Sequence, residues 1–154
     1  MIETRAARYE DLAAVHSITQ RAYAAWLPVL GYPAQPMTDD HGPRIKRGEV
    51  LLACHGQHVL GLIAVEPSDD HHLIFSVAVD PDSAGKGIGP RLIAEAERQA
   101  FLAGKRRMML YTNALMVRNI ELYLKLGYRE TGRRPNTARP GFTIVDMEKM
   151  LDDI

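Results

Sequence analysis

The stretch Asp80-Pro81-Asp82-Ser83-Ala84-Gly85-Lys86-Gly87-Ile88-Gly89-Pro90 restricts this chain most: it joins an apolar run ending at Val79 to a helical pattern opening at Pro90. Without Cβ atoms, Gly85, Gly87 and Gly89 let the backbone take dihedrals closed to other residues and let an oxyanion come close. Free amides of the first helical turn, with the helix dipole, add a positive field. Pro90 is tolerated there because a first-turn N–H has no partner within the helix. The junction is a candidate cradle for a pyrophosphate, and the glycines alone leave open a plain strand-to-helix turn. Two familiar phosphate motifs are excluded by spacing. A dinucleotide fingerprint needs its third glycine where Pro90 stands, and a P-loop needs Ser or Thr where Gly87 follows Lys86.

What surrounds the junction defines an order of elements. Ile2 to Arg5 reads as an edge strand, and Asp11 to Trp26 as a helix with Leu12, Val15, Ile18 (with Thr19) and Ala22 at helical spacing. From Leu27 to Gly48, Pro28, Pro33, Pro36 and Pro43 break both helix and ladder, which predicts a loop with a short helix near Arg44 to Arg47. Val50 to Cys54, Val59 to Val65 and His72 to Val79 form an expected antiparallel meander. A helix from Pro90 to Ala103, capped at Gly104, leads to a strand at Met108 to Thr112, parallel to His72–Val79 through a right-handed crossover. A helix from Met116 to Leu126 ends at Gly127, and strands at Tyr128 to Gly132 and Phe142 to Met150 close the chain. On that last helix, Val117, Ile120 and Leu124 are expected to form the core arc and Arg118, Glu121 and Lys125 a solvated one. Asn119 and Tyr123, four apart, fall beyond the core edge.

Composition narrows the class. With 154 residues, 46% of them hydrophobic, the chain suits one globular domain over 1–154 without disulfides or metals. Nineteen basic residues balance nineteen acidic ones, so no general field draws it to nucleic acid or to an anionic membrane. Cys54 is the one cysteine, and no signal peptide or membrane-length apolar run is present, which together suggest a cytoplasmic protein. Cys54, His55, His58 and His71 lack a recognised ligand spacing, so no metal is expected.

Val77-Ala78-Val79-Asp80-Pro81 followed by Gly85-Lys86-Gly87-Ile88-Gly89 resembles motif A of the GNAT superfamily of N-acetyltransferases. Leu110-Tyr111-Thr112-Asn113 with Asn119, Tyr123, Gly127 and Tyr128 resembles its motif B, in the family's order. The resemblance spans nearly the whole chain. It implies the acyl-CoA N-acyltransferase fold, an α/β architecture with a central mixed, twisted sheet of about seven strands flanked by about four helices.

It also implies acetyl-CoA as co-substrate and transfer of its acetyl group to a primary amine by direct attack within a ternary complex. The cradle of Ala84, Gly85, Lys86, Gly87, Gly89 and Pro90 would hold the pyrophosphate, although Ala84 stands where the family usually places Gln or Arg. The backbone amides of Val77 and Val79 would take the pantetheine arm and an oxyanion, a task suited to preorganised donors. Asn119 would contact CoA, and Tyr123 would protonate the leaving thiolate, a phenol being protonated at neutral pH.

Relatives often carry a glutamate base on the strand where this chain has Leu73, Ile74 and Phe75. His72, with His71 beside it, is the candidate in its place, and water alone is the alternative. The acceptor would enter between Trp26–His41 and Arg133–Gly141. Trp26, Tyr32 and Met37 would offer an apolar wall, and Arg133, Arg134 and Arg139 a grip on a carboxylate, against the plainer reading of solvated loops. Homodimers occur among similar proteins and stay open here. A non-catalytic acyl-CoA sensor and a nucleotide-binding interaction module remain as alternative functions.

Overall fold

The computed structural model describes residues 1–152, so the final two positions of the domain expected over 1–154 lie outside the described residues. In chain order the elements are β1 (Glu3–Ala6), α1 (Leu12–Tyr23), α2 (Leu27–Leu30), α3 (Gln35–Thr38), α4 (His41–Lys46), β2 (Val50–His55), β3 (His58–Pro67) and β4 (His71–Val79). There follow α5 (Ile88–Leu102), β5 (Arg107–Asn113), α6 (Val117–Lys125), β6 (Arg129–Pro135) and β7 (Thr143–Met150). The strands form one seven-stranded sheet in the order β1-β2-β3-β4-β5-β7-β6. Every neighbouring pair is antiparallel except β4–β5. This is the expected mixed α/β fold.

Alternation along β3 shows why the sheet is covered on both faces. Leu62 and Ala64 pack into a core with Val15, Ile18 and Tyr23 of α1, while Ile63 and Val65 join Leu92, Ile93, Ala96 and Ala100 of α5 on the opposite face. Gly61 is what lets α5 lie close. A Cβ there would sit 2.9 Å from the Ala78 carbonyl oxygen and 3.1 Å from Ile88 Cγ2, at the first turn of α5. Gly61→Ala should therefore destabilise the fold by about 1–3 kcal/mol, the usual cost of overpacking. At about 2–4 °C per kcal/mol for a chain of this size, a thermal melt without ligand will show it.

Between β3 and β4 the register slips: Ala64 faces Ser76 and Val65 faces Ile74, so Phe75 has no partner. A bulge of this kind bends the strand that carries it. Accordingly β4 and β5 pair only over His71–Ile74 and Arg107–Leu110, although β4 runs on to Val79 and β5 to Asn113. Beyond Ile74 the two parallel strands separate. Phe75 is covered by the Arg44 guanidinium, 3.7 Å from the ring centroid. Arg44 is buried in ion pairs with Asp39 (2.9 Å) and Glu66 (2.6 Å).

Two expectations need correcting. The segment after α1 is not a loop with one short helix: it contains α2, α3 and α4, and α4 starts at His41, where the Asp40 carboxylate accepts from the Gly42 amide at 3.1 Å. The core arc of α6 is also rotated from the one expected. Val117 and Leu124 are 54% and 50% exposed, whereas Ile120 and Tyr123 are buried. Tyr123 packs edge-on against Tyr128, ring centroids 5.6 Å apart, and Met116 is drawn in beside Ile120, so the buried face centres on the tyrosine. Among the described residues, no helix is long and apolar enough to cross a membrane.

Candidate active site

At the end of β4 the chain is pinned before it reaches the glycines. The Asp80 carboxylate accepts two hydrogen bonds from Arg21 of α1, at 2.8 and 3.0 Å, and one from the Asp82 amide at 3.0 Å. Those bonds, led by Arg21, hold its carboxyl below the usual carboxylate range. Gly85 (φ +80°) and Gly87 (φ +73°) then use left-handed backbone, and no heavy atom lies within 4 Å of a Cβ built at either. Gly89 does not need that freedom. Its φ is not positive, and an added Cβ would only touch Val79 Cγ2 at 3.8 Å. Gly87 is the N-cap of α5 and no side chain caps it, which leaves the first-turn amides of a fifteen-residue helix without a side-chain partner at that cap. Ala84 and Lys86 are exposed beside these amides, and Pro90 lies half-buried in the first turn.

The separated edge of β4 supplies more donors. Asp80 donates its amide to Leu60 of β3 (2.8 Å), so by the two-residue alternation of a ladder the amides of Val77 and Val79 turn to the open side. At Val77 that side is met by the Tyr23 hydroxyl, which accepts from the Val77 amide (3.4 Å) and donates to its carbonyl (3.2 Å). Burial pushes the Tyr23 phenol up to about 12, with the Val77 hydrogen bond opposing. Sequence reasoning placed Ala22, not Tyr23, on the inner face of α1. The signal was present in the spacing, since Val15, Thr19 and Tyr23, each four apart, are all buried.

Tyr23 also lines a cavity of about 590 Å³ between β4, β5, α6, the segment 30–38 and the β6–β7 hairpin. Asn119 and Tyr123 line it together with Thr112 and Asn113, as do Tyr32, Arg134 and Arg139. Tyr123 is 8% exposed, and its phenol is pushed up, first by burial and then by Tyr23. Its neighbour Tyr128 is fixed by donating to Glu97 at 2.7 Å, while Glu97 also accepts from Lys149 at 3.0 Å. Ser76 adds a buried hydroxyl that has no hydrogen-bond partner among the described residues. Trp26, Met37 and Arg133 do not line the cavity, and Arg133 is paired with Glu130 at 2.6 Å.

His72 is not brought to this place. It sits opposite Met108 and Pro67 in the paired part of the sheet, five residues and roughly 16 Å along the strand from Val77. Burial lowers its pKa, and Lys105 and His71 add to the effect. His71 is likewise remote, with Nδ1 2.8 Å from the Asp70 carboxylate. Among the described residues, no Asp, Glu or His lines the cavity. Among the described residues, no three His, Cys, Asp or Glu side chains are grouped to hold a metal ion.

This fold and site can be set beside known proteins. Residues 12–128 match the acetyltransferase (GNAT) family, and the chain belongs to it. The chain is 28% identical over 98 residues to N-acetylaspartate synthetase of Danio rerio, a match covering 62% of this chain and 35% of that protein. It thus spans about a third of the length of that relative. Among solved structures, PaiA N-acetyltransferase of Thermoplasma acidophilum in complex with coenzyme A superposes with a TM-score of 0.81 at 19% identity, covering 97% of this chain and 99% of the other. YncA of Salmonella typhimurium, solved with its cofactor acetyl-CoA, gives a TM-score of 0.74 at 23% identity over 100% of this chain and 96% of the other.

Proposed function

We propose that this chain is a single-domain, cytoplasmic, acyl-CoA-dependent N-acetyltransferase that acetylates a primary amine by direct attack. The observation that carries the reading is the open edge of β4: its outward amides run from the Gly87-capped start of α5 to a cavity containing Asn119 and Tyr123. Acetyl-CoA fits these residues. The uncapped amides at Gly87, with the space above Gly85 and Gly87, suit a pyrophosphate, and Ala84, Lys86, Gly89 and Pro90 complete the rim. The amides of Val77 and Val79 would hold the pantetheine arm, with the Tyr23 hydroxyl yielding the first of them, and Asn119 would bind beside it.

When bound, acetyl-CoA supplies an activated acetyl thioester. Tyr123 keeps its proton because burial disfavours the phenolate, and it would donate that proton to the departing sulfur. The Val77 amide would steady charge on the acyl oxygen. With no carboxylate or imidazole among the described residues lining the cavity, the amine would lose its proton to water.

A pH profile follows from this assignment. The rate should rise with pH until the acceptor's own ammonium pKa and show no falling limb from Tyr123 up to about pH 10, the reference value above which its phenol is shifted. His72→Gln should leave that rising limb in place; a displaced acid limb in that variant would return His72 to the mechanism. The direct test of the function is thiol release from acetyl-CoA across a panel of amines. Binding of acetyl-CoA without release for any amine would favour a sensor, and equal stabilisation by ATP and acetyl-CoA a nucleotide-binding module.

A further inference from the structure

We infer that the amine acceptor carries a carboxylate, held by the guanidinium of Arg139 at the wall of the cavity; this rests on the acetyltransferase reading above. Among the described residues, the cavity is lined by two cationic side chains, Arg134 and Arg139, and by no acidic one. The two arginines differ in what they already hold. Arg134 donates through Nε and Nη2 to the Asp146 carboxylate at 2.8 and 3.1 Å, so its charge is answered within the protein. Arg139 makes no ion pair among the described residues. Its guanidinium carbon lies 4.1 Å from the centroid of the Tyr32 ring.

That position is built. The Tyr32 hydroxyl accepts from Asn113 Nδ2 at 3.0 Å, and its ring meets Phe142 edge-on with centroids 5.1 Å apart, so the platform is fixed from two sides. The backbone beneath Arg139 is fixed as well. Asn136 Oδ1 accepts from the amides of Ala138 (3.0 Å) and Arg139 (3.1 Å), and the Arg139 carbonyl accepts from Phe142 at 3.1 Å. A cation–π contact uses the charge of the guanidinium and not its N–H donors, and the fork of those donors matches a carboxylate with two parallel hydrogen bonds.

Charge then discriminates between classes of amine. A polyamine would bring further ammonium groups into a cavity where no acidic side chain among the described residues receives them, and like charges brought together cost affinity. An amino acid brings one carboxylate for Arg139 and one amine for transfer. Anchored at the β6–β7 hairpin, it would leave the amine free within the same cavity as Asn119 and Tyr123.

The test sets the common L-amino acids against their carboxamides, with spermidine as a cationic control. Thiol release is measured with acetyl-CoA, and calorimetric binding is measured on the full chain saturated with CoA. At least one amino acid should exceed its amide about 10- to 100-fold in kcat/KM, the range set by a charge-assisted hydrogen bond. Arg139→Gln should raise the KM for that acid by a similar factor, leave the amide and the acetyl-CoA melting shift as they were, and be partly repaired in Arg139→Lys. Preference for amides or spermidine, equal loss for acid and amide in Arg139→Gln, or no acid bound or acetylated would each overturn the inference. Acids that bind through Arg139 with no thiol release from any amine would keep the carboxylate site but remove the acetyltransferase reading and, with it, the acceptor. Release without preference for a carboxylate would do the reverse.

Discussion

Replacing Tyr123 by phenylalanine should cost about 10²- to 10⁴-fold in kcat, the usual contribution of positioned acid catalysis, and leave the melting-temperature rise caused by acetyl-CoA unchanged. Tyr123 lines the cavity and its hydroxyl donates to no protein group among the described residues, so removing the hydroxyl breaks no internal hydrogen bond. The ring is retained, and with it the edge contact to Tyr128, which Glu97 holds in place. Binding and chemistry are thereby separated in one variant. Turnover within a few-fold of the parent at saturating substrate, with chemistry limiting the rate, would remove Tyr123 as the acid.

Gly87→Glu should abolish the acetyl-CoA-induced rise altogether. Two effects act together there, and a second variant separates them. Any side chain at φ +73° is strained, by about 1–2 kcal/mol, so Gly87→Ala should melt a few degrees lower than the parent but keep part of the ligand-induced rise. Glutamate adds a negative charge at the N-cap of α5, on the amides that would meet the pyrophosphate. If the glutamate variant folds and is stabilised by acetyl-CoA as fully as the parent, the cradle is not the binding site.

Much of this was legible in the residues. The apolar run Val59–Val65 marked a strand of the meander, and the Gly85–Gly89 run marked the start of α5, because both signals are local. The arc of α6 was misread for a tertiary reason. Leu124 and Val117 are the more hydrophobic choice, but Tyr128, held in place by Glu97 of the sequence-distant α5, provides the seat into which Tyr123 turns. His72 was misplaced because a strand position says nothing of where the neighbouring strand departs, and here β5 leaves only after Ile74. Tyr23 was passed over because its partner is a backbone amide fifty-four residues away, exposed by that same departure. The three arginines expected at the acceptor entrance read alike in sequence. Only their partners, Glu130 for Arg133, Asp146 for Arg134 and the Tyr32 ring for Arg139, distinguish them.

The central claim is direct transfer between two substrates held at once, and no nucleophilic cysteine lines the cavity to accept the acetyl group in passing. Cys54 is buried in β2, with its thiol pushed up by burial. Initial velocities measured while varying acetyl-CoA at several fixed concentrations of an accepted amine test this most directly. Reciprocal plots that intersect are the expected result, since both ligands must be bound before chemistry; parallel lines, the mark of an acetylated enzyme formed in the amine's absence, would contradict it.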